Sequence, residues 1–226
     1  MNEAIRTVGF VGTGIMGAPM ARHLAASGFQ VIAYNRSMEK AMPLAEHGVR
    51  LASSAAEACT GQDGVVVMLN SGHVCEELLF APKTGGLFAM RPGCLLIVMS
   101  SLTVETAKDH ARRSRALGVG YLDAPVSGGE VGAKAATLSI MVGGEAADVA
   151  RALPALSAMG RATHVGDHGS GQLAKLANQM IVGITIGAVA EALLLCEKGG
   201  ADPAKVKDAI SGGFADSRIL QVHGQR

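Results

Sequence analysis

Gly12-Thr13-Gly14-Ile15-Met16-Gly17 stands between an apolar run, residues 5–11, and a segment of helical character, residues 15–27. Glycines at this spacing suit phosphate binding. Gly12 permits a tight turn, Gly14 brings the backbone towards a pyrophosphate, and Gly17 lets helix and strand pack closely. The helix beginning there offers unpaired N–H groups and a favourable dipole to phosphates. Thr13, Ile15 and Met16 fill the same turn, so residues 12–17 together are expected at the cofactor. A purely structural turn would explain the glycines but not Asn35-Arg36-Ser37, which follows the next strand at residues 30–34. An acidic residue there would bind a ribose 2′-hydroxyl and repel a 2′-phosphate. Asn35 carries no charge, Arg36 can pair with phosphate, and Ser37 can add a hydrogen bond. The pattern predicts NADP in preference to NAD. Leu69 and Asn70, ending the apolar run 64–69, and Ser101, after the run 95–99, are further expected cofactor contacts.

A second set of residues suits a small acid. Ser127 has a hydroxyl that donates and accepts, and the N–H groups of Gly128 and Gly129 can face a carboxylate. Lys175 and Asn178 are three residues apart in a helical segment, so one face presents an ammonium and an amide. Gln179, the next residue, can support either. A charged lysine attracts an acid and can donate a proton to an oxygen that gains charge; a neutral one can take it back. That exchange requires a lysine whose pKa is lowered by burial or by positive neighbours.

The elements that must position these residues alternate strand and helix. Strands are predicted at 5–11, 30–34, 64–69, 95–99, 120–124, 137–142 and 163–165, with helical segments between most of them. The alternation argues for a parallel sheet covered by helices. After Gly166 the pattern becomes helical, with a long helix over 172–198 and another starting at Asp202-Pro203, an N-cap and first-turn proline. The expected organisation is a Rossmann-like dinucleotide domain at 1–165, then the beginning of an all-helical substrate and oligomerisation domain at 166–226. Hydrophobic residues make up 49% of the 226, which excludes bulk disorder. Twenty basic against nineteen acidic residues leave +1, so no nucleic-acid surface is implied. Residues 180–196 form the longest apolar run; Glu191 interrupts it, and it reads as a buried helix rather than a membrane span. Cysteines at 59, 75, 94 and 196 show no metal-like spacing and suit reduced thiols in a soluble cytoplasmic protein.

With Asp123-Ala124-Pro125-Val126-Ser127-Gly128-Gly129 the chain resembles the beta-hydroxyacid dehydrogenase family. The other markers are residues 9–20, the stretch from Gly169-Ser170-Gly171-Gln172 through Lys175 to Asn178, and Gly212-Gly213-Phe214. The resemblance covers essentially the whole chain. It implies reversible hydride transfer between a nicotinamide cofactor and a small beta-hydroxyacid, in a homo-oligomeric enzyme. It also implies that Ser127, Gly128 and Gly129 hold the substrate, that Lys175 is catalytic, and that Asn178, with Gln179 beside it, orients the substrate. Within the family, Asn35-Arg36, Glu130 and the 169–179 stretch look most like reductases of tartronate semialdehyde, giving glycerate. The alternative is oxidation of 3-hydroxyisobutyrate or another beta-hydroxyacid. A non-catalytic dinucleotide-binding regulator is the reading from a different class, and the presence of Ser127, Lys175 and Asn178 disfavours it.

Three residues depart from the family pattern: Thr13 in place of leucine, Val98 in place of aspartate, and Ala136 in place of glycine. Relatives are expected to continue beyond Arg226 through further helices and a Lys-Asp-containing segment. The helical domain is therefore expected to be incomplete at its C-terminal end, and the expected activity is that of the intact protein.

Overall fold

The computed structural model describes residues 4–223. The chain falls into two compact units, Met1–Lys175 and Leu176–Arg226. In the first unit, strands β1 (Thr7–Val11), β2 (Gln30–Tyr34), β3 (Arg50–Leu51), β4 (Gly64–Val67), β5 (Leu95–Val98) and β6 (Gly120–Asp123) pair in the order β3-β2-β1-β4-β5-β6, all parallel. The strand order reverses at β1, where connections run outwards on both sides; that reversal opens a crevice beyond the carboxyl ends of the strands. Beyond β6, strand β7 (Val126–Ser127) and strand β6 each pair antiparallel with β8 (Leu138–Gly144), and β9 (Gly160–Gly166) lies parallel to β8.

The central strands are apolar without interruption because both sheet faces are covered. Val66, Leu95 and Ile97 face one core with Phe10, Met20 and Leu24; Val65, Val67, Leu96 and Val98 face the other with Leu79 and Tyr121. This is the two-residue period of a pleated strand. The covering helices are α1 (Gly17–Ala26), α2 (Ala55–Cys59), α3 (Gly72–Cys75), α4 (Val104–Arg115), α5 (Gly129–Ala135) and α6 (Ala146–Ser157). Residues 38–47 form two short 3₁₀ turns, and a π-helical turn over Glu76–Phe80 extends α3. Ser54, Ser71 and Thr103 cap α2, α3 and α4 by accepting from the N–H three residues on.

Ala136, singled out as a departure, sits at φ 54° at the C-cap of α5. That left-handed conformation is one that glycine adopts freely and alanine does not.

Helix α7 (Ser170–Lys198) begins in the first unit and continues into the second, which also holds α8 (Pro203–Ile210) and α9 (Arg218–His223). Asp202 caps α8 as its sequence predicts, accepting from Ala204 N–H at 2.9 Å. The expectation of a buried helix over 180–196 is overturned. Met180, Ile181, Ile184 and Leu195 are each more than 60% exposed. Apolar residues occur all round α7, so it has no polar face to give to solvent. By length and composition alone it is also long and apolar enough to cross a membrane.

Candidate active site

The glycine turn lies where β1 enters α1. Gly12 adopts φ +100°, and a Cβ there would come within 2.3 Å of the Met68 carbonyl oxygen. At Gly17 a Cβ would meet the Gly12 carbonyl oxygen at 1.9 Å, so strand and helix approach as closely as backbones can. Gly14 differs: nothing lies within 4 Å of its Cβ position, which leaves its backbone open to a ligand. The N-terminus of α1 has no side-chain cap and no acidic residue in its first turn, unlike α2 and α4. Its free N–H groups and this open glycine fit a pyrophosphate.

One cleft gathers Gly12, Gly14, Asn35, Arg36, Ser37, Leu69 and Asn70. The side chain of Asn35 is already engaged: Oδ1 accepts from Thr13 N–H at 3.0 Å and Nδ2 donates to the Ser37 carbonyl at 2.9 Å. Asn35 therefore braces the glycine turn against the loop after β2, and Arg36 stands exposed beside it. Thr13 is buried, and Ile15, Met16, Gly17 and Ser101 do not line this cleft. Met68 lines it beside Leu69, and so do Tyr34, Lys40, Val74, Glu77 and Leu78, which residue spacing did not single out. Lys40 adds a second cation on the Arg36 side, and its place four residues after Arg36 was the only available signal.

The second set of residues is organised around β6 and β8. Ser127 on β7 pairs with Ser139 on β8 and is half-buried; Gly128 and Gly129 follow it at φ 133° and 59°. Nothing lies within 4 Å of the Gly129 Cβ position. Further along β8, the first turn of α7 packs so closely that a Cβ on Gly171 would come within 2.5 Å of the Met141 carbonyl oxygen. Asp123, fully buried at the end of β6, accepts from Gly169 N–H at 2.7 Å and from Gln172 N–H at 2.9 Å. Burial pushes its carboxyl pKa up, while those two N–H groups pull it down.

Lys175 follows one turn later and is half-buried. Burial lowers its pKa from the ordinary lysine value, with no charged neighbour contributing. Asn178 and Gln179 lie on the continuation of α7 and bond each other, the Asn178 amide donating to the Gln179 carbonyl oxygen at 3.0 Å. His164 and His168 bond backbone carbonyls instead of one another. Among the described residues no cluster of His, Cys, Asp or Glu is built to hold a metal.

Comparisons with known proteins agree with this architecture. A family model described as the NAD-binding domain of 6-phosphogluconate dehydrogenase matches residues 7–167. One described as NAD-binding of NADP-dependent 3-hydroxyisobutyrate dehydrogenase matches residues 169–226. The chain is 45% identical to 2-hydroxy-3-oxopropionate reductase of Escherichia coli, over 97% of its own length and 75% of that protein's. It is 43% identical to 3-hydroxyisobutyrate dehydrogenase of Pseudomonas aeruginosa, over 96% and 72% of the two chains. A solved structure of Mycobacterium tuberculosis 3-hydroxyisobutyrate dehydrogenase with L-serine superposes with a TM-score of 0.87 at 38% identity, covering 97% of this chain and 74% of that one. A nucleotide crevice, an open glycine turn and relatives matched along nearly the whole sequence converge: the chain belongs to the NAD(P)-dependent beta-hydroxyacid dehydrogenase family.

Proposed function

We propose that this enzyme transfers hydride between NADP(H) and a small beta-hydroxyacid or its semialdehyde, with Lys175 exchanging the proton. The observation that carries this reading is a half-buried lysine of lowered pKa on the helix whose first turn is held by Asp123. The bound dinucleotide supplies or receives the hydride. Gly12, Gly14 and the N-terminus of α1 hold its pyrophosphate, and Leu69 and Asn70 approach its reacting half. Thr13, Ile15, Met16 and Gly17 complete the turn, and Ser101, outside the lining of the cleft itself, would meet the cofactor only beyond it.

Ser127, Gly128 and Gly129 receive the substrate carboxylate, the hydroxyl and N–H groups donating to its oxygens. Asn178 orients the substrate from α7, with Gln179 bonded to it. In reduction, the Lys175 ammonium donates a proton to the carbonyl oxygen as negative charge develops there. In oxidation, the neutral amine takes the proton from the alcohol. The half-buried position moves the lysine towards the neutral form that the oxidative direction uses.

Arg36, Ser37 and Lys40 support a preference for NADP: two cations and a hydroxyl line the cleft on the side proposed for the ribose. For the substrate, more of the similar proteins are 3-hydroxyisobutyrate dehydrogenases than tartronate semialdehyde reductases, so the 3-hydroxyisobutyrate couple is the first candidate. Tartronate semialdehyde is the second, carried by the 45% identity to the reductase. Residues 1–165 act as the dinucleotide domain and residues 166–226 contribute to the substrate domain. The exposed apolar side chains of α7 support a homo-oligomer, in which a second copy would cover them.

The test is a panel of small beta-hydroxyacids and semialdehydes assayed with NADPH and NADH, with size-exclusion chromatography of the same preparation. Highest kcat/KM with 3-hydroxyisobutyrate or tartronate semialdehyde and NADPH supports the proposal. Turnover confined to substrates without a carboxylate would overturn it.

A further inference from the structure

The hydrogen bonds of Gln172 connect two parts of the first unit that the proposed reaction uses separately. Gln172 is 1% exposed and lies three residues before Lys175 on α7. Its backbone N–H bonds Asp123 at 2.9 Å. Its side chain points the other way along the sheet, to the loop after β5. There Nε2 donates to the Ser100 carbonyl at 2.9 Å and Oε1 accepts from Leu102 N–H at 3.0 Å. Ser100 continues the chain, since its hydroxyl oxygen accepts from Leu69 N–H at 2.7 Å. Leu69 lines the cofactor cleft. A series of hydrogen bonds, part-buried at Leu69 and buried at Gln172, therefore runs from the wall of that cleft, through Ser100 and Gln172, to the turn of α7 that leads to Lys175.

We infer that Gln172 is a positioning residue: its carboxamide fixes the first turn of α7 against the β5 loop and so sets the place of Lys175 relative to the cofactor cleft. This deepens the proposed function and rests on the proton-exchange role of Lys175. The chemistry explains why an amide stands here. The loop presents one acceptor, the Ser100 carbonyl, and one donor, the Leu102 N–H, and only a side chain with both complements satisfies the pair. Both loop groups are otherwise shut away from water, so the preference for the paired geometry is steep. A turn held at both ends in this way, by Asp123 through the backbone and by Gln172 through its side chain, has little freedom to translate or rotate. Such rigidity matters because displacement of a reacting group by about 1 Å costs on the order of 100-fold in rate.

The experiment is a double-mutant cycle read by single-turnover hydride transfer, with NADPH affinity and thermal stability measured on each protein. The four proteins are the wild type, Gln172→Met, Lys175→Met and the double variant. Methionine keeps the stem volume of glutamine and removes both hydrogen-bonding functions. Gln172→Met alone should slow hydride transfer by about 10- to 100-fold while NADPH affinity is retained. In the Lys175→Met background the same change should cost no more than about twofold, because there is no longer an ammonium to place. Equal losses in the two backgrounds would mean that Gln172 does not act through Lys175 and would overturn the inference, as would a full rate in Gln172→Met. A full rate in Lys175→Met would instead overturn the underlying reading, so the two failures are separable. If Gln172→Met does not fold, Gln172→Asn replaces it in the cycle: it keeps an amide one methylene too short to reach both partners, and the same background dependence is expected.

Discussion

The carboxylate of Asp123 accepts the backbone N–H of Gln172 at 2.9 Å, joining the end of the sixth strand to the helix that carries Lys175. Its other oxygen takes the Gly169 N–H at 2.7 Å, so one buried side chain satisfies two donors at the start of α7. The DAPVSGG segment thus does two things. Its serine and glycines are the groups proposed to receive the substrate, while its aspartate fixes the first turn of the helix that carries Lys175.

Asp123→Asn should lower unfolding stability by about 1–3 kcal/mol, because the amide turns a donor towards one of the two N–H groups and leaves it unpaired. A denaturant midpoint equal to that of the wild type would show that the pair is not required to hold the turn.

Ala136→Gly should raise stability. Ala136 is held at φ 54°, where an L-residue with a Cβ is strained by roughly 1 kcal/mol and glycine is not. For a chain of this size the melting temperature should rise by about 2–4 °C, measurable by calorimetry. An unchanged or lower value would mean that the greater freedom of glycine in the unfolded chain outweighs the relief of strain.

Arg36→Ala should weaken NADPH binding by about 10- to 100-fold, the scale of a lost charge-assisted hydrogen bond, and leave NADH nearly unaffected. Titration of both cofactors checks it. Equal losses would assign Arg36 to the loop rather than to the 2′-phosphate.

The pH dependence follows from the burial of Lys175. Its pKa lies below the ordinary 10.5, so the neutral amine forms at lower pH than on an exposed lysine. Alcohol oxidation, which needs the neutral form, should rise with pH through that pKa. Semialdehyde reduction, which needs the ammonium, should fall through it. Stopped-flow profiles in both directions should share one midpoint below 10.5. Separate midpoints, or none, would remove Lys175 from the proton exchange.

Much of this organisation is legible in the residues themselves. The strand at Gln30–Tyr34 has the bounds its pattern predicts, and the strand–helix alternation carries through to β6, because parallel strands are apolar throughout and end at turn-forming residues. The short helix α5 was not legible: Gly129 and Gly132 within seven residues give it almost no intrinsic propensity, and tertiary packing sustains it. The same holds for the two-residue strand β3, which exists only by pairing with β2. In the cleft, the glycine turn and Arg36 were identifiable because they are contiguous motifs. Val74, Glu77 and Leu78 were not, because they reach the cleft from a separate helix through the strand crossovers. Gln172 was hidden for a related reason: its partners lie about 70 residues away in the chain. The exposure of α7 is not legible in its residues, since a helix that is apolar all round resembles a buried one in sequence.

The most direct test of the central claim, that Lys175 exchanges the proton during hydride transfer, is the single-turnover rate of Lys175→Arg with saturating NADPH and substrate. Arginine retains the charge and the ability to hold a carboxylate but does not cycle through a neutral state. The account predicts that both ligands still bind and that the hydride-transfer step falls by about 10²–10⁴-fold, the scale of a positioned acid–base group. A rate close to that of the wild type would contradict it and would leave Lys175 as a charge that only positions the substrate.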